Sequence, residues 1–219
     1  MMSQMTLVIG NRNYSSWSLR AWLALSWIGV PFRAVLVRMS VPSFKAEVAK
    51  YGPHGRVPIL KAGVLTVWDS LAICEYAAEV TGRGWPQDAT ARAVARSATA
   101  EMHSGFTALR RAWPMNARAR GRRTPSTPAL ESDIARIDQL WADCRRRFGA
   151  EGPWLFGERC IADAMYAPVV LRFETYGAST SLVAREYVAT VLADDHLQRW
   201  MRAAAEEPWT IDEDEAGIP

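Results

Sequence analysis

Apolar residues along the chain change their spacing twice near the start. Met5-Thr-Leu-Val-Ile9 is a short β-branched run, the size of a buried strand. Further on, Leu19, Trp22, Leu23, Leu25 and Trp27 recur at three- and four-residue steps up to Gly29, the pattern of an amphipathic helix closed by glycine. Between the two lies Asn11-Arg-Asn-Tyr-Ser-Ser-Trp-Ser-Leu-Arg20, a strand-to-helix turn crowded with hydroxyls at Tyr14, Ser15, Ser16 and Ser18. Such a turn sets donors at the positive end of a helix dipole, where an anion such as a thiolate is stabilised. The plainer reading is that one serine caps the helix.

Pro31–Val37 reads as a second strand, so the first three elements make a βαβ unit with parallel pairing. Pro42–Tyr51 reads as a short helix with Pro42 in its first turn. In Gly52-Pro-His-Gly-Arg-Val-Pro-Ile-Leu60 the prolines and glycines break any helix, while Val57, Ile59 and Leu60 look like buried strand. A proline there cannot donate to a ladder and needs an edge, a bulge or a cis bond after Val57. A cis bond would turn the Val57 N–H and C=O outward, free for a ligand. Val64–Trp68 is a further strand, and Asp69-Ser70 is placed to cap a helix running to Gly82. The order is βαβαββα over residues 1–82, and the glycine- and proline-containing stretch 83–89 reads as a linker.

Residues 90–219 read as helical throughout. Ala91–Arg120 is expected as one helix that Pro114 kinks or ends, followed by a loop from Gly121 to Pro128. Ala129–Phe148, an apolar run from Cys160 through Phe173, Leu182–Leu192 and Asp194–Ala205 supply the rest, and Trp209–Pro219 reads as a polar tail. The fold class expected is therefore an α/β domain followed by an all-α one.

Composition narrows the function classes. The 219 residues are 49% hydrophobic and 22% charged, ordinary for a globular protein with a real core. No apolar run approaches the roughly 20 residues that span a bilayer, and MMSQMTLVIG has neither a basic lead nor a cleavage site, so a cytoplasmic protein without a membrane segment is expected. Cys74, Cys144 and Cys160 are isolated and the three histidines are scattered, which argues against disulfides and a metal cage. A net charge of +3 is a weak footprint for nucleic acid, and the arginines at 118–123 and 145–147 read as solvating helix ends.

Four pieces in a fixed order carry a family likeness: SSWSLR, GRVPIL, WDSLAICEY and CIADAMYAP. Together with the βαβαββα front and helical rear, the chain resembles the cytosolic glutathione S-transferases over essentially its whole length, most like the zeta or another serine-type bacterial branch. The resemblance implies a thioredoxin-like N-terminal domain that holds glutathione as co-substrate and rear helices that hold an electrophile. It makes Ser15 the thiol-activating serine, with Ser16 or Tyr14 in reserve, and Arg20 the family's shared arginine. Trp17 and Leu19 depart from the zeta pattern. For glutathione it implies Ser16, Arg56, Val57 and Pro58, with Asp69 facing the γ-glutamyl ammonium and Ser70 holding its carboxylate. For the electrophile the candidates are Met102, His103, Phe106 and Arg110, although Met102 and Phe106 also fit a core stripe. Cys160 stands where the family has a hydroxyl capping residue, so Asp163 is assigned to folding. The function implied is conjugation of glutathione to a small electrophile by a homodimer, with no metal. A zeta-like isomerase of the maleylacetoacetate type and a non-catalytic glutathione-binding module are the alternatives.

Overall fold

The structure, a computed structural model, describes residues 5–218. The front half contains β1 (Met5–Ile9), α1 (Ser16–Ile28), β2 (Phe32–Leu36), α2 (Phe44–Ala49), β3 (Ile59–Ala62), β4 (Leu65–Trp68) and α3 (Ser70–Thr81). The rear half contains α4 (Ala89–Ser104), α5 (Thr107–Ala112), α6 (Pro128–Phe148), α7 (Ile161–Tyr176), α8 (Leu182–Leu192) and α9 (Asp195–Ala205). The expected βαβαββα order and all-helical rear are both present, as a thioredoxin-like domain followed by helices.

The sheet order is β2-β1-β3-β4, with β1 and β2 parallel and the other pairs antiparallel. The near-continuous apolarity of β1 follows from its being covered on both faces. Met5, Leu7 and Ile9 face the large core with α1 and α3, whereas Val8 joins Val37, Val48 and Ile59 under α2. The second cluster is small, so α2 is the more lightly held cover. Among the described residues no helix is long and apolar enough to cross a membrane.

α7 is buried on nearly every side, packed against α1, α4 and α8, which is why its sequence lacks a polar face. Asp163 starts it: Oδ2 accepts from the Cys160 amide at 2.8 Å, and Oδ1 accepts from the Leu155 amide and the Tyr187 hydroxyl at 3.2 and 2.9 Å. The reciprocal contact to Cys160 sulfur is also made, so the capping box survives the replacement of oxygen by sulfur.

Three expectations need correction. α2 is shorter than Pro42–Tyr51, with Ser43 as its cap and Pro42 outside its first turn. The helix expected over Ala91–Arg120 is two helices with an unforeseen break at Gly105-Phe106, and the second ends at Ala112, just ahead of Pro114 as expected. Gly105 is extended where a Cβ would sit 2.7 Å from the Glu101 carbonyl oxygen, and Phe106 takes a left-handed φ of 54°. Residues 209–218 are not a free polar tail. Arg123 pairs with Ile218 in an antiparallel bridge, and Arg122 reaches the Gly217 carbonyl at 2.9 Å and the Glu215 carboxylate at 2.7 Å. Arg118 and Arg122, expected to solvate helix ends, instead hold this segment down.

Candidate functional site

The turn from β1 to α1 is fixed by groups remote in sequence. A Cβ on Gly10 would collide with Met39, so glycine lets the two segments touch. Asn11 receives the Met39 amide on its side chain at 2.8 Å and the Ser15 amide on its carbonyl at 2.8 Å. Glu207 accepts from the Arg12 amide at 2.9 Å, Trp200 donates to the Arg12 carbonyl at 2.9 Å, and Asn13 binds Asn116 at 3.0 Å and the Arg118 amide at 2.9 Å. Tyr14 donates to Glu215 at 2.6 Å and accepts from Arg118 at 3.0 Å, which occupies its hydroxyl.

Ser15 is the N-cap of α1: its Oγ accepts from the Ser18 amide at 3.4 Å and shares a 2.8 Å hydrogen bond with the Ser18 hydroxyl. Ser18 Oγ in turn accepts from the Gly10 amide at 3.0 Å. A hydroxyl pair can be donated in either direction. With Ser18 donating, the amide of Gly10 and the two hydroxyls form a chain that leaves the Ser15 proton free. Ser15 thus caps the helix, as the plainer reading has it, and lines a cavity.

That cavity, about 580 Å³, is lined by Ser15, Ser16, Trp17, Arg56 and Val57 from the front half and by Arg110, Met115, Arg172 and Asp214 from the rear. A neighbouring cavity of about 350 Å³ shares Trp17, Arg56 and Val57 and continues to Pro58, Asp69, Ser70 and His103, so the two form one cleft. The Val57–Pro58 bond is cis, and neither the N–H nor the C=O of Val57 has a partner among the described residues. His54 stacks on Trp68 at 3.6 Å and lines the same wall.

Asp69 begins α3 with φ 73° and ψ 134°, a costly backbone for a residue with a Cβ. Its Oδ1 accepts from the Leu71 and Ala72 amides at 2.9 and 3.2 Å, and its Oδ2 lies 3.2 Å from His103 Nε2. Partial burial works against the charge, yet the bonds from His103 and the α3 amides hold this carboxyl below its ordinary range. Ser70 Oγ is buried without a partner among the described residues.

Of the candidate electrophile residues, His103 and Arg110 reach the cleft. Met102 is 0% exposed and Phe106 7%; both belong to the core and line neither cavity, because the break at Gly105 turns Phe106 inward. The sequence reading missed Trp17 as a wall of the cleft. Its ring lies 4.3 Å from the Arg20 guanidinium and 5.5 Å from that of Arg110, with the His103 ring edge-on at 5.3 Å. Arg172 and Asp214 were missed because no local pattern links them to residues 15–17.

Arg20 is fully buried, and none of its three nitrogens has a hydrogen-bond partner among the described residues. Burial first, then the charges of Arg172 and Arg110, lower its pKa to about 9; burial and Arg110 lower that of Arg172 to about 10. Both stay cationic at neutral pH. Burial raises the thiols of Cys74 and Cys144 to about 12, which removes them as nucleophiles. Among the described residues no cluster of His, Cys, Asp and Glu could hold a metal.

Residues 14–80 match the family model for the glutathione S-transferase N-terminal domain. No curated protein sequence matches the chain. Among solved structures it resembles a glutathione transferase homolog from Burkholderia gl BGR1 with bound glutathione, at 23% identity and TM-score 0.69, covering 93% of this chain and 99% of that one. It also resembles a theta class glutathione S-transferase from Xanthomonas axonopodis pv. citri with glutathione bound, at 22% identity and TM-score 0.64, covering 92% and 98%. A Tau class enzyme from mango aligns at 17% identity and TM-score 0.68, covering 94% and 97%. Residues 14–80 therefore carry the pattern of the glutathione S-transferase N-terminal domain, and the chain as a whole shares the two-part fold of these solved structures.

Proposed function

We propose that the protein is a glutathione transferase in which the Ser15 hydroxyl stabilises the glutathione thiolate for attack on a small electrophile. The observation that carries this reading is the cleft itself. A hydroxyl at the N-terminus of α1, the unpaired backbone of Val57 and the unpaired hydroxyl of Ser70 line connected cavities in the order a γ-glutamyl-cysteinyl peptide requires. Residues 1–82 hold glutathione, residues 90–219 supply the electrophile side and 83–89 join them.

In this reading Ser70 Oγ and the α3 N-terminus receive the γ-glutamyl carboxylate, and Asp69 receives the ammonium in competition with His103. Val57 pairs with the cysteinyl backbone, which brings the sulfur to Ser15, and Arg56 lies where the peptide passes. A free thiol has a pKa of about 8.5, so little is ionised at pH 7. One charge-assisted hydrogen bond with a helix dipole behind it contributes roughly 2.7 kcal/mol, which lowers that pKa by about 2. The 2.8 Å Ser15–Ser18 hydroxyl pair can be donated either way, and with Ser18 as donor the Ser15 proton is left for the sulfur. Ser16, at the first position of α1 and on the same wall, is the alternative donor. The enzyme works as a homodimer, for which Leu65, Trp68 and Val80 supply exposed apolar surface on the front domain.

Calorimetry with glutathione tests binding, and the pH dependence of the bound thiol tests the serine. Ser15→Ala is expected to raise the thiol pKa and cut the conjugation rate at pH 6.5 by roughly tenfold to a hundredfold, the span of one lost charge-assisted bond. Unchanged values in Ser15→Ala with a collapse in Ser16→Ala would move the role by one residue.

A further inference from the structure

The far side of the 580 Å³ cavity carries more positive charge than a glutathione sulfur needs. Arg110 and Arg172 both line it, and the buried Arg20 guanidinium lies 4.3 Å from the ring of the lining residue Trp17. Among the described residues, none of these three has a carboxylate within 4.0 Å. A buried guanidinium without a directly paired carboxylate is costly, and the chain keeps two, Arg20 and Arg172, with the half-buried Arg110 beside them.

Arg172 is oriented by the protein. Its Nε donates to the Trp113 carbonyl at 2.6 Å and its Nη1 to the Pro168 carbonyl at 3.1 Å, while Nη2 has no acceptor among the described residues and is not sealed from the cavity. Arg110 has one long contact, 3.4 Å to the His103 carbonyl, and the nearby Asp133 accepts from the Leu109 amide. Among the described residues Asp214 is the only acid on the cavity wall, which also carries Arg56, Arg110 and Arg172. Pro114, Met115 and the Trp17 face complete the lining, which suits a flat apolar body.

We propose that the electrophile side of this cleft selects an anionic electrophile, a small aromatic or unsaturated carboxylate, whose carboxylate is received by Arg110 and Arg172 while its planar body lies against Trp17. This rests on the glutathione transferase reading and names its substrate class. Burial lowers the pKa of all three arginines, and the neighbouring guanidinium charges add to it at Arg20 and Arg172, which agrees with an anion bound among them. In the conjugation of an aryl chloride of this class, the thiol proton goes to solvent. The thiolate then forms a carbon–sulfur bond at the carbon bearing chlorine, and chloride leaves with the bonding pair.

The test compares an acid with its neutral ester in two arms on the full chain. In the turnover arm, 4-chloro-3,5-dinitrobenzoate and its methyl ester are each divided by their uncatalysed rate with glutathione. In the binding arm, the unreactive 3,5-dinitrobenzoate and its methyl ester are titrated by calorimetry, which reads the arginine subsite whether or not glutathione is used. The acid is expected to bind and react at least tenfold better than the ester, the scale of one charge-assisted bond. Arg110→Met and Arg172→Gln are each expected to reduce that ratio about tenfold. Arg172→Gln also loses the hold on Trp113, so its melting temperature is measured alongside, and Arg110→Met decides the matter if it unfolds. Equal binding of acid and ester overturns the proposal. So does an equal loss for both electrophiles accompanied by a raised bound-thiol pKa, which would assign the arginines to the sulfur. Preferential binding of the acid by a protein that ignores glutathione would uphold the subsite and refute the transferase reading.

Discussion

Tyr14 donates its phenolic proton to Glu215 across 2.6 Å, joining positions 201 residues apart. The same carboxylate accepts from Asn116 at 2.7 Å and Arg122 at 2.7 Å, so one acid ties the C-terminal segment to the turn that begins α1.

Glu215→Ala leaves Tyr14, Asn116 and Arg122 without their acceptor. A loss of about 1–3 kcal/mol in stability is expected in denaturant unfolding, as for a partly buried acceptor removed from its donors. A looser turn also weakens glutathione binding. Wild-type stability in Glu215→Ala would show that the segment only rests on the surface.

Ser70 separates a ligand role from a folding role. Its hydroxyl has no partner among the described residues, and the α3 cap is supplied by Asp69, so Ser70→Ala should change stability by no more than about 0.5 kcal/mol. Glutathione affinity is nonetheless expected to fall about tenfold, the scale of one bond to a charged group. A melting temperature that drops while affinity holds would reverse the assignment.

Asp69 is tested with a ligand lacking one group. Asn can still cap α3, so Asp69→Asn is expected to fold and to bind glutathione about tenfold more weakly. The des-amino analogue of glutathione, which has no ammonium, should bind the variant and the parent alike. An equal loss for both ligands would show that Asp69 acts by shaping the loop.

Asp163 sets a pH dependence of folding with a definite sign. Burial raises its pKa to about 6 despite bonds from the Cys160 and Leu155 amides and from Tyr187. The folded state therefore takes up this proton more readily than the unfolded chain. Asp163's contribution is greatest below about pH 4 and falls by up to about 3 kcal/mol as pH rises through about 6. The cost of Asp163→Asn, measured by denaturant unfolding, should be larger at pH 4 than at pH 7. A cost that grows with pH would mean that the carboxylate, not the acid, is the better-held form.

The front half of the fold was legible because β1, α1 and α3 each carry their pattern and their end signals locally, from the short apolar run of residues 5–9 to Gly29 and Gly82. For the site, SSWSLR, GRVPIL and WDSL each place a residue at an element end, so Ser15, Val57, Asp69 and Ser70 could be found from sequence and do meet in one cleft. What was not legible depends on contacts between distant segments. Met102 and Phe106 share a helical stripe with Leu109 on paper, but the left-handed turn at Phe106 redirects the chain. Arg172 sits in the middle of an apolar helix and acquires meaning only beside Arg110. The acids after Ala205 look like solvent-facing residues until their partners at 12–14 and 116–122 are known.

The loop at residues 10–15 is made early in synthesis, yet its shape is held by Trp200, Glu207 and Glu215, which are made much later. A growing chain can therefore pair its strands long before Ser15 has settled, and the loop takes its full set of ties only once Glu215 has been made.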